Sequence, residues 1–325
     1  MAAYEAAAGW PRADAHIHLV PADGVSWAAT RQEAGVVYDE PVMYDHLAAT
    51  HGVEHVLVVS VDTANNGFIA AAAQDYPWCR PAAWFDPRSL TVGGLEALPE
   101  CFVGIAMYLG EADNEALAGV APEVWGWLDA RRWIVSCNGG PGHWPAWLGV
   151  LQAHPTLRLL ASHLGSPGPA PESERDDPAA PEVYEARLGA LLRLAEFPGP
   201  RVKLSGFCEP SAADSRRPPD DPGPLDPCHS SLTPMLLPAD AATTPSHDFP
   251  HHAAWGFVEA LLRTFGAGRL CWGSDFSPAL NHLTFQQTVD LFARMPFLDA
   301  EQRRAVEGGN LIQWLDEAAA AGPRL

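Results

Sequence analysis

The run Ala13-Asp14-Ala15-His16-Ile17-His18-Leu19 decides how the rest of the chain is read. Side chains on an extended strand alternate faces, so His16 and His18 share one face and Ala15 and Ile17 take the other. If the apolar set packs under helices, the two imidazoles point into the interior of a closed sheet. Two imidazoles one pleat apart suit the binding of one divalent ion or one substrate oxygen. One buried histidine would be ordinary packing. Two on one face of a first strand, behind an aspartate, point to chemistry.

Ala13–Val20 is the first of eight strand candidates. The others are Val53–Val61, Arg80–Asp86, Phe102–Tyr108, Arg132–Asn138, Leu157–His163, Arg201–Gly206 and Leu270–Asp275. Helical patterns lie between them, among them Tyr44–Thr50, Gly67–Asp75, Val124–Arg131, Trp144–Ala153, Val183–Glu196 and His252–Phe265. Alternating strand and helix implies a parallel sheet, and eight such units close into an α/β fold of the (β/α)8 TIM-barrel type, read here as one domain over residues 1–325. The competing open, doubly wound sheet would carry G-x-G-x-x-G after its first strand, and this chain does not. One stretch breaks the rhythm. Phe207–Pro250 is rich in Pro, Asp and Ser and follows the seventh strand. A long loop there sits at the C-terminal mouth of a barrel, as a lid or substrate-selecting wall or as a plain insertion. The shorter Pro-rich loop Gly165–Pro181 shares that mouth.

The same alternation assigns an inward set to each strand end. It comprises Ser60 and Asp62, Trp84 and Asp86, Gly104, Ala106 and Tyr108, Ser136 and Asn138 (with Cys137 turned away), His163, Lys203 and Ser205, and Asp275. A histidine and a carboxylate converging at a barrel mouth are a natural electrostatic stabiliser and general base. An aspartate after a strand is also a common helix cap, so the set counts as a constellation rather than residue by residue. Trp27, Trp84, Trp144 and Trp147 fall in or near the mouth loops and suggest an apolar or aromatic pocket; outer-layer packing is the plainer use for them. Cys208, Cys228, His229, His247, His251 and His252 in and around the long loop match no common zinc spacing.

Composition narrows the function classes. The chain has 325 residues, 47% of them hydrophobic, and a formal charge of −20. An acidic surface repels phosphate backbones and anionic lipid, so the expected partner is a small-molecule substrate, with no nucleic acid and no membrane; a homo-oligomer is left open. No apolar run approaches the roughly 20 residues that cross a bilayer. Met1–Trp10 lacks the basic start and apolar stretch of a secretory signal, and six scattered cysteines without a C-x-x-C pair fit a reducing, cytoplasmic setting.

Asp14-Ala15-His16-Ile17-His18 resembles the opening D-x-H-x-H of the amidohydrolase superfamily. Pro155–Gly165, ending Ala161-Ser162-His163-Leu164-Gly165, is similar to its sixth-strand "DHLG" or "HLG" segment. Val202-Lys203-Leu204-Ser205-Gly206 resembles its "KLSG" strand, and Arg269–Pro278 its "R-x-x-W/F-G-[ST]-D-W-P" signature. The nearest branch in pattern is the amidohydrolase-2 group of lactonases and aminocarboxymuconate-semialdehyde-type decarboxylases. The resemblance implies that His16 and His18 are first-strand metal ligands, or oxyanion donors in metal-free members. It further implies that His163 meets the substrate or leaving group and that Asp275 activates water. Two departures stand out. The fifth strand, Ile134-Val135-Ser136-Cys137-Asn138, lacks the histidine of metal-dependent decarboxylases, and the fourth, Gly104-Ile105-Ala106-Met107-Tyr108, lacks the arginine that would clamp a substrate carboxylate.

The expectation is a hydrolase of a lactone or amide carbonyl. Asp275, His163, His16 and His18 are the catalytic set, and Tyr108, Asn138, Trp84 and Lys203 contact substrate. One divalent ion, read as zinc from its ligand types, is held by His16, His18 and Asp275, unless the enzyme works without a metal. Lys203 could equally be the buried partner of an inward carboxylate. The alternatives are a metal-dependent non-oxidative decarboxylase and a non-catalytic barrel that binds a ligand.

Overall fold

The computed structural model describes residues 9–21, 39–110, 112–170, 180–210, 249–281 and 283–320. Eight parallel strands run in sequence order, β1 (Arg12–Ile17), β2 (Val53–Val59), β3 (Cys79–Trp84), β4 (Gly104–Tyr108), β5 (Ile134–Asn138), β6 (Arg158–Ala161), β7 (Arg201–Leu204) and β8 (Leu270–Trp272). Each expected strand is present, most of them trimmed at an end. Helices α1 (Glu40–His51), α2 (Thr63–Asp75), α3 (Val92–Glu96), α4 (Asp113–Gly119), α5 (Pro122–Ala130) and α6 (Trp144–Ala153) lie between or beside the first six strands. They are followed by α7 (Pro181–Leu188), α8 (Ala190–Arg193), α9 (His252–Phe265), α10 (Phe285–Asp290), α11 (Ala300–Arg304) and α12 (Asn310–Ala320). The architecture is the (β/α)8 TIM barrel that the sequence implies. Residues 211–248, most of the expected mouth loop, lie outside the described residues, as do 171–179 and Trp27.

Two apolar layers follow from strand alternation. The outer layer packs Val56, Val58, Ile105, Leu159 and Leu204 beneath the helices. The inner layer is made of small and medium side chains, Ala13, Ala15, Leu57, Val59, Ala82, Ala106, Ile134 and Leu160. At the floor, Leu311, Trp314 and Leu315 of α12 join this inner cluster, so the last helix plugs the barrel from below. Arg201 lies over the Trp314 ring at 4.2 Å, and Arg158 donates to the Trp314 carbonyl at 2.7 Å and pairs with Glu317. Stacking and charge-assisted hydrogen bonds thus hold the plug without leaving the strand-end arginines bare.

Two residues do not take the face expected of them, Ala15 because alternation breaks and Ser60 because its strand is in the opposite phase. Ala15 belongs to the inner cluster, not to the helix-facing set. The cause is a register irregularity in β1, where Asp14 pairs with Val56 and Ile17 with Val58. Three steps on β1 match two on β2, which is a bulge, and a bulge re-aims side chains. It lets Ala15, His16 and His18 all face inward while Ile17 stays outside. Ser60 is likewise not in the pore. Val59 takes the inner face, and the Ser60 hydroxyl donates to the Asp62 carbonyl at 2.9 Å, with Asn65 Oδ1 on α2 3.2 Å away. Asp62 and Asp86 cap the helical turns after their strands rather than reaching the pore.

The seam between β8 and β1 is closed by a side chain. Asp14 is fully buried; its Oδ1 accepts from the backbone N–H of His16 at 3.1 Å and of Ser274 at 2.9 Å, and its Oδ2 accepts from the Tyr44 hydroxyl at 2.9 Å. Backbone bonds continue the seam, from Asp275 N–H to the His16 carbonyl and from His18 N–H to the Phe276 carbonyl. Burial pushes the Asp14 carboxyl up to about 6, against the pull of its hydrogen bonds. Asp14→Ala should therefore strand three buried donors, each costing about 1–3 kcal/mol. Urea unfolding should read a loss of roughly 3 kcal/mol or more for Asp14→Ala and about 1 kcal/mol for Tyr44→Phe. A change under about 0.5 kcal/mol for Asp14→Ala would mean the seam does not depend on this carboxylate.

Candidate metal centre and active site

Three strand ends deliver the polar cluster at the mouth. β1 supplies His16 and His18. The turn after β6 supplies His163, in the left-handed region at φ 52°, and the turn after β8 supplies Asp275 at φ 58°. Non-glycine residues held there carry backbone strain, aspartate less than most. These positive φ values swing both side chains inward, His163 two residues and Asp275 three residues beyond the strand. Two glycines make room. A Cβ on Gly273 would lie 2.8 Å from the His16 Cβ, and one on Gly206 would lie 2.6 Å from His163 Nδ1.

His16, His18 and Asp275 each offer one ligand atom, all within 4.8 Å of one another, and all three residues are buried. The His16 and His18 Nε2 atoms are 3.0 Å apart, and Asp275 Oδ1 lies 3.6 Å from the first and 3.8 Å from the second. Bonds of 2.0–2.1 Å at tetrahedral angles put donor atoms about 3.3 Å apart. The three separations bracket that value, so the donor set fits one small divalent ion. Its outer supports are also in place. The His18 Nδ1–H donates to the Val59 carbonyl at 2.9 Å, which turns the Nε2 lone pair toward the centre. The Tyr108 hydroxyl stands 3.5 Å from the same Nδ1.

Lys203 lies beneath this group. It is fully buried, with Nζ 2.7 Å from His16 Nδ1 and 2.7 Å from the Ser136 hydroxyl. Burial lowers its pKa from the ordinary 10.5 to about 7, although Asp275 draws it the other way. Burial also holds His16 well below its usual value, reinforced by the charge of Lys203 and by the neighbouring histidines. The lysine's close neighbours are thus an imidazole and a hydroxyl. His163 stacks edge-on to His16 with ring centroids 4.6 Å apart, and the Ser205 hydroxyl sits 3.1 Å from its Nδ1.

The remaining sequence-predicted residues divide. Tyr108, Asn138 and Trp84 stand at the ends of β4, β5 and β3, half-buried, on the inward side. Trp144 and Trp147 are fully buried in the outer core instead, with Trp144 Nε1–H donating to the Gly165 carbonyl. They pack the wall. Sequence reasoning missed the structural role of Asp14 and all of Glu40. Glu40 is fully buried on α1 and accepts from Val20 N–H at 2.6 Å and from the Ser277 hydroxyl at 2.7 Å, joining the loops after β1 and β8. No motif signals Glu40, because its partners are 20 and 237 residues away.

Comparison with known proteins agrees with this geometry. The chain aligns over 94% of its length with an amidohydrolase from Burkholderia multivorans with bound zinc, at 20% identity, a TM-score of 0.69 and 99% coverage of that chain. It aligns equally far with a probable 2-pyrone-4,6-dicarboxylic acid hydrolase from Acinetobacter baumannii with citric acid bound, at 17% identity and a TM-score of 0.62, covering 99% of it. A 2,6-dihydroxybenzoate decarboxylase complexed with 2,6-dihydroxybenzoate aligns at 13% identity and a TM-score of 0.52, over 94% of this chain and 99% of that one. At these identities the likeness is one of fold. No curated protein sequence matches the chain. Among the described residues, no helix is long and apolar enough to cross a membrane. The sequence profile of the family described as Amidohydrolase matches residues 13–315, so the chain belongs to the amidohydrolase family and carries at its barrel mouth a buried His-His-Asp group that can hold a metal ion.

Proposed function

We propose that the protein hydrolyses a lactone or amide, with Asp275 as the general base for the attacking water. The observation that carries this reading is the Asp275 carboxylate, buried and within 3.6 Å and 3.8 Å of the two Nε2 atoms. A carboxylate in that position can hold a water beside the carbonyl carbon and accept its proton. His16 and His18 aim at the carbonyl oxygen from one side. His163, beside the Ser205 hydroxyl and edge-on to His16, reaches the leaving oxygen and returns a proton to it. A divalent ion held by His16, His18 and Asp275, zinc by its ligand types, would act as a Lewis acid on the carbonyl and acidify the water. Without an ion, His16 with its proton on Nε2 and its Nδ1 accepting from Lys203 would donate a hydrogen bond to the carbonyl oxygen directly. Hydrolysis is favoured over decarboxylation because β5 ends on Ser136, Cys137 and Asn138, with no histidine to complete the ligand set of a decarboxylase.

Asp275→Asn keeps the shape and removes the base, so turnover should fall by ~10²–10⁴-fold with the fold intact. The assay is a panel of lactones and aryl amides, read beside carbon dioxide release from aryl carboxylates. Near-wild-type hydrolysis by the variant would remove Asp275 from this role. Carbon dioxide release without hydrolysis would replace the reading by the decarboxylase. Metal analysis should find at most one ion per chain, and two tightly bound ions would overturn the assignment of ligands.

Lys203 generates a second expectation. For His16 to offer its Nε2 lone pair to an ion, its proton must sit on Nδ1, facing Lys203. The amine then has to accept, so it must be neutral. With its pKa near 7, Lys203 is mostly protonated at pH 6 and mostly neutral at pH 8. Zinc binding at pH 6 should therefore expel about one more proton from the wild type than from Lys203→Met, and at pH 8 the difference should largely vanish. Calorimetry in buffers of different ionisation enthalpy reads the proton count. An equal count at pH 6 would mean that the lysine does not control the tautomer.

A further inference from the structure

Nearly every inward polar group at the mouth has a partner. Lys203 holds His16 and Ser136, Ser205 faces His163, and His18 donates to Val59. Ser162 does not. It is fully buried, and its hydroxyl has no hydrogen-bond partner. Its direction follows from the strand. Leu160, two residues earlier, packs in the inner cluster, while Leu159 and Ala161 pack in the outer one. Ser162 is extended at φ −81°, ψ 156°, and its N–H continues the ladder to the Cys137 carbonyl at 2.8 Å. The hydroxyl is therefore on the inner face, one layer above Leu160. Beyond the last β5–β6 pair, Cys137 with Ala161, the next residues are Asn138 and Ser162. Asn138 is half-buried, and its side-chain amide makes no hydrogen bond among the described residues. His163 follows directly and turns its ring to His16.

We propose that the Ser162 hydroxyl and the Asn138 side-chain amide form a two-point subsite for an uncharged oxygen substituent, a hydroxyl or carbonyl, carried by the substrate next to its reacting carbon. This rests on the reading of the site as a carbonyl hydrolase. The chemistry selects the occupant. Both groups are neutral, and each can donate and accept. A carboxylate would call for a cation at this wall, and the nearby Lys203 ammonium is already engaged by His16 and Ser136. A buried hydroxyl with no partner is unfavourable in the free protein, and a substrate oxygen supplies the missing bond. A site built to hydrogen-bond one substituent also rejects the analogue that lacks it.

The test uses two six-membered lactams that resist hydrolysis, gluconolactam, which bears ring hydroxyls, and δ-valerolactam, which bears none. Calorimetry should give a preference of roughly tenfold or more for gluconolactam in the wild type. Ser162→Ala and Asn138→Ala should each remove most of that preference and leave δ-valerolactam binding within about threefold, whereas Ser162→Thr should retain it. Ser162→Ala should also melt at the same temperature as the wild type or higher, because it deletes an unbonded buried hydroxyl. No preference in the wild type, including failure to bind either lactam, overturns the subsite. So does an equal loss for both lactams, or a lower melting temperature for Ser162→Ala, which would give the hydroxyl a structural bond. Turnover of the matching lactones is read separately. Hydroxyl preference without lactone turnover would remove the hydrolase reading and keep the subsite, and turnover without preference would do the reverse.

Discussion

A barrel of parallel strands has one seam where the first strand must find the last, and here Asp14 holds it. One carboxylate oxygen gathers two backbone N–H groups from opposite sides of the seam, and the other is fixed by the Tyr44 hydroxyl. The His16 N–H is one of those two donors, so the bond that closes the barrel also sets the first metal-ligand candidate in place. The next backbone bond, from Asp275 N–H to the His16 carbonyl, does the same for the carboxylate opposite. Fold closure and site geometry are thus one network. Its members lie 260 residues apart in sequence, which is why the centre forms only when the whole barrel has formed. Asp14 remains ionised at neutral pH because its hydrogen bonds counter burial, and a buried carboxylate in that state tolerates the loss of few donors.

The interior is graded from floor to mouth. α12 seals the bottom with Trp314 and its arginine contacts, and small apolar side chains fill the middle. Polar groups begin only at the level of Ser136 and Lys203. This arrangement excludes water from below and leaves the C-terminal mouth as the way in, as barrel enzymes require. It also raises the strength of every electrostatic contact at the top, since the layer beneath is dry.

The alternation of strand and helix was legible because parallel strands buried on both faces read as continuous apolar runs. The centre was legible because His16, His18, His163 and Asp275 all stand at ends of such runs. The misplaced residues trace to events that a period of two cannot express. The β1 bulge moved Ala15 inward, and Ser60 turned out to be tied to α2. His163 and Asp275 were counted as strand residues, yet each reaches the centre through a left-handed turn just past its strand. Trp144 and Trp147 lie on a helix face that the sequence placed near the mouth and the structure buries against the barrel wall. Glu40 and the floor contacts of Arg158 and Arg201 depend on distant partners and left no local signal.

Charge balance inside the centre links the lysine to the chemistry. With Lys203 protonated and Asp275 counted as a carboxylate, the two charges cancel. Under the proposed function, exchanging the lysine proton for a divalent ion held by His16, His18 and Asp275 would leave the ion and one carboxylate, a net charge of +1. That charge would sit above a dry apolar layer, with three imidazoles around it. A ground-state lactone or amide is neutral and gains little from such a field. The oxygen that becomes negative as water adds gains most, and this difference between ground and transition state is what accelerates a reaction. Under the proposed function, burial of Lys203 would serve that end, because a lysine with its ordinary pKa would keep its proton and oppose the ion. The same apolar core that stabilises the barrel therefore sets the ionisation that its mouth requires.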